Sequence, residues 1–374
     1  MRVGYDATTL TLRRSGIGRY TLELLYALIE HEPELDLRLM AHRRINDDLS
    51  PNGLGAIEFL GGPGFPVKLA WMQTLLPITL ARSDLDVCHF TNYHAPLISN
   101  VPSVVNLHDM SLVMMPERHP RLRVVTMRPL LRTIAQHASA VLCLTASARS
   151  DAITHLDLDP ERVRVVSAAP ARAFRPISDE SRLAAAARRY GLEPGFLLFI
   201  GTIEPRKNLV RLVQAYARLR RDGFGAPLVI CGAPGWKSGD LAPTIESLGL
   251  SPHVIFTGFV PDDDLAALLN LARAFVYPSL YEGFGLPIIE AFACGVPVVT
   301  SNRGATAEVA GGAALLADPE DVADLTSMLA SALTDEPTRS RLRAAGLRRA
   351  TDYTWERAAH ETAAIYRSAV ATAR

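Results

Sequence analysis

The stretch that decides the fold is AFVYPSLYEGFGLPIIE, residues 274–290. Its four apolar starting residues predict a short buried strand, and the segment from Pro287 onward predicts a helix. Proline suits the first turn of a helix, where its missing N–H costs nothing. Gly283 and Gly285 permit a tight turn between the two elements. A strand that passes through a glycine turn into a helix is typical of a parallel sheet with crossover helices.

The same pattern recurs on both sides of this stretch. Apolar runs predict strands at 2–6, 35–41, 87–90, 103–107, 140–144 and 163–167, and again at 196–201, 228–231, 254–257, 274–277 and 296–300. Helix-like amphipathic segments lie between them, such as 209–220 and 263–271. The sequence therefore predicts an α/β protein with two doubly wound parallel sheets, which meet near residues 174–176.

Beyond Glu320 the pattern predicts helices alone, at 324–333, 337–350 and 355–373. A length of 374 residues suits two domains. We expect one domain at 1–174 and a second at 175–355. Residues 356–374 are expected to form a C-terminal helix, which either caps its own domain or crosses back to the first.

The composition argues against several classes of protein. Basic and acidic residues number 39 each, so the net charge offers no bulk attraction for nucleic acid. No apolar run approaches the roughly 20 residues that cross a bilayer, and the N-terminus lacks the zones of a signal peptide, so we expect a cytoplasmic protein. The cysteines lie far apart in mostly apolar runs and predict buried thiols; they are Cys88, Cys143, Cys231 and Cys294.

Ligands of doubly wound sheets bind outside the carboxyl ends of the strands, so candidate sites should follow strands directly. In the opening stretch, the backbone amides of Gly283, Phe284, Gly285 and Leu286 could hold phosphate or sugar oxygens. Two carboxylates flank this turn, eight residues apart.

These carboxylates, Glu282 and Glu290, could accept hydrogen bonds from the hydroxyls of a hexose and a ribose. Alternatively, Glu282 is a turn residue and Glu290 is an acid favoured by the helix dipole. The spacing leaves the two interpretations equal.

A second junction, GTIEPRKN at residues 201–208, also follows a predicted strand and opens a helix. Arg206 and Lys207 lie near the helix N-terminus, which is unfavourable for cations unless an anion is bound there. A diphosphate would explain them; two solvated surface cations are the alternative.

Two segments of the first half follow strands as well. Gly16 and Gly18 open a helix after RRS at 13–15, but the third glycine and the acidic residue of a dinucleotide site are missing, which disfavours a nicotinamide enzyme. His108 and Asp109 follow the strand at 103–107, although a lone histidine is more often structural than catalytic.

Together these segments resemble the large retaining glycosyltransferase family four. Residues 201–209 are similar to its Gly-Thr-x-Glu-Pro-Arg-Lys-Asn signature, and Glu282 to Glu290 is similar to its Glu-x7-Glu element. The resemblance implies the GT-B fold, in which two Rossmann-like domains face a central cleft. It places the acceptor mainly on the first domain and the nucleotide sugar on the second.

The resemblance also implies roles for residues. Arg206 and Lys207 would bind the donor diphosphate, Glu290 the ribose, and Glu282 with the amides of residues 283–286 the sugar. From the first domain, Gly16 and Gly18 would approach the phosphates and His108 would reach the transferred sugar. Residues 168–176, AAPARAFRP, differ from the turn that members of this family carry before the linker between the two domains.

The expected reaction is retaining transfer of a hexose from a nucleotide sugar, with GDP-mannose as the first candidate, to a glycan or lipid-linked oligosaccharide. No Asp-x-Asp pair stands at a predicted strand end, so no metal ion and no other cofactor are expected. A sugar-nucleotide epimerase, a phosphorylase and a non-catalytic nucleotide-sugar-binding subunit are the alternatives.

One helical face suggests a membrane partner. Arg121, Arg128 and Arg132 recur at helical spacing, with Val125, Leu131 and Ile134 expected elsewhere around the helix. Either this face is a solvated basic surface, or it contacts the cytoplasmic side of the inner membrane. The neutral net charge leaves no reason to expect nucleic acid.

Overall fold

A computed structural model describes residues 1–11, 16–43, 45, 59–60 and 67–373. Its strands, in chain order, are β1 (Arg2–Asp6), β2 (Asp36–Met40), β3 (Phe59–Leu60), β4 (Val87–Phe90), β5 (Ser103–Leu107), β6 (Ala140–Cys143), β7 (Val163–Val165), β8 (Leu197–Ile200), β9 (Leu228–Cys231), β10 (Val254–Gly258), β11 (Ala274–Tyr277), β12 (Val298–Ser301) and β13 (Leu315–Ala317).

The helices within the described ranges are α1 (Gly16–His31), α2 (Lys68–Gln73), α3 (Leu75–Ala81), α4 (Ser111–Met114), α5 (Arg121–His137), α6 (Ala146–Leu156), α7 (Glu180–Tyr190), α8 (Leu209–Arg221), α9 (Leu241–Ser247), α10 (Asp262–Leu271), α11 (Leu286–Ala293), α12 (Gly304–Ala310), α13 (Val322–Thr334), α14 (Glu336–Ala350) and α15 (Trp355–Ala373). None of them is long and apolar enough to span a bilayer.

The chain divides into two compact units. Unit 1 comprises Met1–Val113, Leu122–Ala168 and Thr354–Arg374, and unit 2 comprises Met114–Arg121 and Ala169–Tyr353. A short segment from the first half of the chain, Met114–Arg121, thus packs with the second unit. Its backbone carbonyls accept hydrogen bonds there from Trp236 and Lys237.

Each unit contains one parallel sheet. The strand order is β3-β2-β1-β4-β5-β6-β7 in unit 1 and β10-β9-β8-β11-β12-β13 in unit 2. In both sheets the order reverses once, between β1 and β4 and between β8 and β11. Such a reversal opens a crevice at the carboxyl ends of the strands, where ligands of these folds bind. The predicted α/β class with two doubly wound sheets is confirmed.

Buried apolar strands and helix faces form the cores of the two units. Val104 and Leu142 in unit 1, and Phe199, Phe275 and Ile289 in unit 2, are fully buried between sheet and helices. The four cysteines are buried free thiols, as the sequence predicts.

The C-terminal helix α15 belongs to unit 1 and packs against α1. Glu32, directly after α1, accepts hydrogen bonds from His360 Nδ1 at 2.7 Å and from Arg367 Nη2 at 2.6 Å. The hydroxyl of Tyr366 reaches the buried His89 Nδ1 at 2.5 Å. The last helix therefore completes the helical layer of the first unit.

Candidate active site

Two loops meet at the point where the strand order of unit 2 reverses. One follows β8 at residues 201–208 and the other follows β11 at residues 278–285. The parallel strands β8 and β11 are neighbours, with Phe275 opposite Leu198. The loops are joined by a hydrogen bond of 2.8 Å from Leu280 N to Arg206 O. The two motifs that the sequence singled out in this half thus form one site.

The first loop is shaped by close backbone approach. A Cβ on Gly232, which follows β9, would stand 1.9 Å from the carbonyl oxygen of Gly201, so only glycine fits there. Pro205–Lys207 then form a 3-10 turn. Asn208 ends the turn with φ of 62° and donates from Nδ2 to Pro278 O at 3.1 Å, which ties the loop to its neighbour.

A compact group of charged side chains forms where the loops meet. Arg206 lies between two carboxylates, with Nε 2.6 Å from Glu204 Oε1 and Nη1 2.6 Å from Glu282 Oε2. Lys207 Nζ lies 2.6 Å from Glu282 Oε1 and also donates to the hydroxyl of Tyr277. The group is mostly buried: 15% of the Arg206 side chain is exposed and 7% of that of Lys207.

Burial and the neighbouring charges together shift the pKa values of the side chains in this group. Burial lowers the pKa of Lys207 most, the charge of Arg206 lowers it further, and Glu282 opposes both. Burial alone would raise the pKa of Glu282, but Arg206 and then Lys207 outweigh it, so its pKa lies below the ordinary value. Burial also raises the pKa of Tyr277, which keeps its phenol protonated.

The arrangement preorganises two cations at a ligand-binding edge of the sheet. Carboxylates and a phenol hold Arg206 and Lys207 in place before any ligand binds, so little reorganisation is needed when an anion arrives. The pairing of both cations with Glu282 was not predicted, since the spacing of the two glutamates indicated only a sugar ligand or a turn residue at position 282.

The second loop presents backbone rather than side chains. Gly285 has φ of 104°, and a Cβ there would lie 2.9 Å from Ile288 Cδ1. The helix α11 begins directly afterwards at Leu286, with Pro287 in its first turn, as predicted. Phe284 is buried, and its ring meets Tyr353 edge-on at 5.6 Å.

Glu290 lies deeper than a simple capping acid. It is the fifth residue of α11 and its side chain is fully buried. Attraction to the helix dipole falls off within the first turn, so that interaction alone gives little reason for a buried carboxylate here. The buried position therefore favours a hydrogen-bonding role for the Glu290 carboxylate over attraction to the helix dipole alone.

The candidates in the first half lie in unit 1. Gly16 starts α1 and Gly18 is buried in it, whereas residues 13–15 lie outside the described residues. The ring of Tyr20, in the same helix, meets His108 edge-on at 4.8 Å. The glycine segment and the histidine therefore lie at the same edge of this sheet.

The hydrogen bonds of His108 define its tautomer. Its Nε2 lies 2.7 Å from the carbonyl oxygen of Thr91, so Nε2 carries the proton and Nδ1 is an acceptor. Burial lowers the pKa of His108, which favours the neutral ring. Asp109 instead receives hydrogen bonds from Ser111 N and Oγ at 2.9 and 2.5 Å and so caps α4.

A cavity of about 540 Å³ opens in unit 2 beside the first loop. Its lining includes Glu204, Pro205, Arg211 and Lys237, together with Glu117 and Arg118 of the segment that packs with this unit. This volume lies in the range of small-molecule sites. The contribution of residues 117 and 118 was not predictable from sequence patterns, because they are distant from this loop in the chain.

Two family models together match most of the chain. The model described as Glycosyltransferase Family 4 matches residues 14–168, and the model described as Glycosyl transferases group 1 matches residues 186–349. O-antigen chain mannosyltransferase B of Escherichia coli is 32% identical over 382 residues, which cover 98% of this chain and 100% of that protein. The chain belongs to glycosyltransferase family 4. The family predicted from residues 201–209 and 282–290 is thereby confirmed.

Solved structures share the fold of this glycosyltransferase. Sucrose-phosphate synthase from Thermosynechococcus elongatus superposes with a TM-score of 0.77 at 18% identity, covering 99% of both chains. Anabaena HepE, solved in complex with UDP and glucose, gives a TM-score of 0.76 at 18% identity, covering 98% of this chain and 100% of that one. The predicted GT-B fold is confirmed.

Proposed function

We propose that this glycosyltransferase moves a mannosyl group from GDP-mannose to a glycan or lipid-linked oligosaccharide of a cell-surface polysaccharide. Transfer retains the anomeric configuration and needs no metal ion. The mannosyl group and the acceptor class are suggested by the full-length relative, which is named an O-antigen chain mannosyltransferase. A nucleotide-sugar donor agrees with HepE, which was solved with UDP and glucose.

The observation that carries the proposal is the position of Arg206 and Lys207. Two mostly buried cations stand at the reversal of the strand order, each paired with Glu282 of the loop that leads into α11. Cleavage of a sugar–diphosphate bond develops negative charge on the leaving oxygens and positive charge on the sugar ring. Fixed cations and amides at the leaving group stabilise that transition state.

The remaining side chains take complementary roles in the proposal. Glu290 accepts hydrogen bonds from the ribose hydroxyls, and Glu282 exchanges its pairing with Lys207 for contact with the sugar when the diphosphate binds. His108, neutral and with Nδ1 as an acceptor, contacts the transferred sugar. The acceptor hydroxyl attacks on the face of the leaving group, and its proton passes to a diphosphate oxygen, so no protein nucleophile is required.

Peripheral membrane contact is a further part of the proposal. Leu131 and Ile134 of α5 are buried, whereas Leu122 is 77% and Val125 73% exposed. The expectation that Val125 lies away from the arginines was wrong, because positions 121, 125, 128 and 132 follow each other at intervals of four, three and four. One exposed face therefore combines three arginines with Val125, and the exposed Leu122 lies at its flank, which suits an anionic lipid surface.

The test is an NMR assay of transfer from GDP-mannose to methyl α-mannopyranoside in the presence of EDTA. The proposal expects a new α-mannoside and release of GDP. An inverted β-product contradicts retention, and loss of activity with EDTA that Mg²⁺ or Mn²⁺ restores contradicts metal independence. Conversion of the donor without acceptor to an isomeric sugar nucleotide identifies an epimerase instead, and a requirement for inorganic phosphate identifies a phosphorylase.

A further inference from the structure

A smaller cavity of about 190 Å³, here the α14 cavity, lies within unit 2. It is lined by Ala272 and Arg273, which lead into β11, by residues 294–297, which lead into β12, and by one face of α14. The strands β11 and β12 are parallel, so both begin at the same edge of the sheet. The candidate active site follows the carboxyl ends of β8 and β11 instead. The α14 cavity is therefore a separate site, at the opposite edge of the sheet.

The side chains that line the α14 cavity carry a net positive charge. Its charged lining residues are three arginines and one glutamate, namely Arg273, Arg339, Arg343 and Glu336. Burial raises the pKa of the Cys294 thiol to about 12, so this lining residue is neutral at pH 7. Three positive charges against one negative charge leave a net charge of +2 around a small volume. Such a surplus favours the binding of an anion.

Capping of helix ends explains only one of these arginines. Basic side chains often bind the last carbonyls of a helix, and α10, α11 and α13 all end near this cavity. Arg273 has that role, because its Nε donates to the carbonyl of Leu333 in the last turn of α13. The end of α11 needs no such cation, since its last carbonyls accept the backbone N–H groups of residues 294–296 at 2.9 to 3.1 Å. Arg339 and Arg343 therefore need another explanation.

Both remaining arginines have hydrogen-bond donors to spare. Arg339 donates from Nη1 to Glu336, but its Nε is buried and has no hydrogen-bond partner among the described residues. Arg343 makes neither a hydrogen bond nor a salt bridge within the described part of the chain. Its side chain lies across the turn after α11, where Gly295 has φ of 71° and a Cβ would stand 3.4 Å from Arg343 Nε. Two guanidinium groups thus border the cavity with unused N–H groups.

Charge and volume together restrict the class of ligand. The positive surplus repels a metal cation, and an uncharged or apolar ligand would leave both guanidinium groups without an opposite charge. A whole nucleotide sugar does not fit, because sites for molecules of that size have volumes of about 300–1,000 Å³. A phosphate is small, and its oxygens accept two parallel hydrogen bonds from one guanidinium. A small phosphate anion therefore satisfies both the charge and the size of the cavity.

We infer that the α14 cavity binds inorganic phosphate or pyrophosphate between Arg339 and Arg343. The Glu336 side chain, which is 68% exposed, turns toward solvent and releases Arg339 when the anion binds. The cavity also adjoins both elements that carry the second donor loop, because β11 begins beside it and α11 ends beside it. A bound anion therefore stabilises unit 2. The inference goes beyond the proposed function and does not depend on it, since it concerns the opposite edge of the sheet.

Titration calorimetry with sodium phosphate and with sodium pyrophosphate tests the inference, with the ionic strength held constant by sodium chloride. We expect the unmodified protein to bind phosphate with a Kd on the order of 1 mM and pyrophosphate about ten-fold more tightly. The double variant Arg339→Gln/Arg343→Gln should bind both anions at least about ten-fold more weakly. Arg341→Gln is the matched control, because Arg341 is an exposed residue of the same helix that does not line the cavity.

Pyrophosphate is also a candidate ligand of Arg206 and Lys207, so Lys207→Ala is titrated in parallel. Binding that Lys207→Ala abolishes and the double variant retains places the anion at the donor loops and overturns the inference. Absence of binding to the unmodified protein at about 20 mM phosphate or pyrophosphate overturns it as well, and so does an equal loss in Arg341→Gln, which would reflect surface charge alone. A thermal melt without phosphate checks that the double variant is folded. If it is not, Arg343→Gln alone decides by the same criteria, since that side chain has no partner to lose within the described residues.

Discussion

Lys207 Nζ lies 2.6 Å from Oε1 of Glu282, although the two residues are 75 positions apart in the chain. The carboxylate of Glu282 is thus paired with the cation that the proposal assigns to the donor diphosphate. A diphosphate that binds here must share Lys207 with Glu282 or displace the carboxylate toward the sugar. The contact explains how two neighbouring cations remain buried and charged without a ligand, because each has an opposite charge beside it.

Replacement of Lys207 by alanine should reduce turnover at least about a hundredfold. Loss of one charge-stabilising donor at a leaving group typically costs that much or more. The fold should persist, since Arg206 still pairs with Glu204 and Glu282. Steady-state kinetics with a thermal melt check both points, with Arg341→Ala on the exposed face of α14 as the control. Near-normal turnover in a folded Lys207→Ala protein would refute the assigned role.

Replacement of Glu282 by glutamine should destabilise the protein by about 3 kcal/mol at pH 7, because it removes the shared partner of two buried cations. The pKa of Glu282 is lowered in the folded state from its ordinary 4.5. Its stabilising effect is therefore complete above that pH and is lost as the pH falls through the lower folded value.

Urea unfolding of both proteins at several pH values measures this difference. The gap in unfolding free energy between the unmodified protein and Glu282→Gln should be constant from pH 6 to 8 and shrink in acid, below about 4.5. A gap that grows in acid, or no gap at pH 7, would contradict the ion-pair account.

Replacement of the fully buried Glu290 by glutamine keeps the shape of the side chain and should weaken the hydrogen bonds to the ribose that the proposal assigns to this carboxylate. Charge-assisted hydrogen bonds are roughly twice as strong as neutral ones, so the donor KM should rise about ten-fold with kcat little changed. Titration calorimetry with GDP-mannose gives the donor affinity directly. An unchanged dissociation constant would leave Glu290 a purely structural residue of α11.

Charge reversal on α5 should weaken binding to anionic vesicles. Three arginines near a lipid surface contribute about 1 kcal/mol each, so replacing Arg121, Arg128 and Arg132 by glutamate should lower the partition coefficient at least about a hundredfold. Sedimentation with phosphatidylglycerol vesicles measures it. Reversal of the exposed Arg188, Arg341 and Arg348 is the matched control. If the unmodified protein does not bind such vesicles, the membrane contact is excluded.

Sequence patterns predicted the fold because its strands are short apolar runs with clear ends. The bounds of β1, β4, β5, β9 and β11 agree with the predicted ones residue for residue. The predictions missed β3 and β13, of two and three residues at the sheet edges. Such short strands carry too few residues to show a period of their own, and their pairing depends on a neighbour already in place.

The parts of the candidate site that lie within a single loop were predictable from the residue types of that loop. Glycine and proline mark the turns at 201–208 and 278–287, and the structure brings these loops together. The Arg206–Glu282 and Lys207–Glu282 pairs could not be predicted, since contacts across 75 or more positions depend on the strand order.

The most direct test of the central claim is a thermal-shift screen of the unmodified protein and Lys207→Ala against UDP-, GDP-, dTDP- and ADP-sugars. A donor at a hundred times its dissociation constant stabilises the fold by about 2.7 kcal/mol, which raises Tm by roughly 3 to 7 °C. We expect GDP-mannose to give this shift in the unmodified protein and little or none in Lys207→Ala. No shift with any of the four, or an equal shift in both proteins, would contradict a donor site built on Arg206 and Lys207.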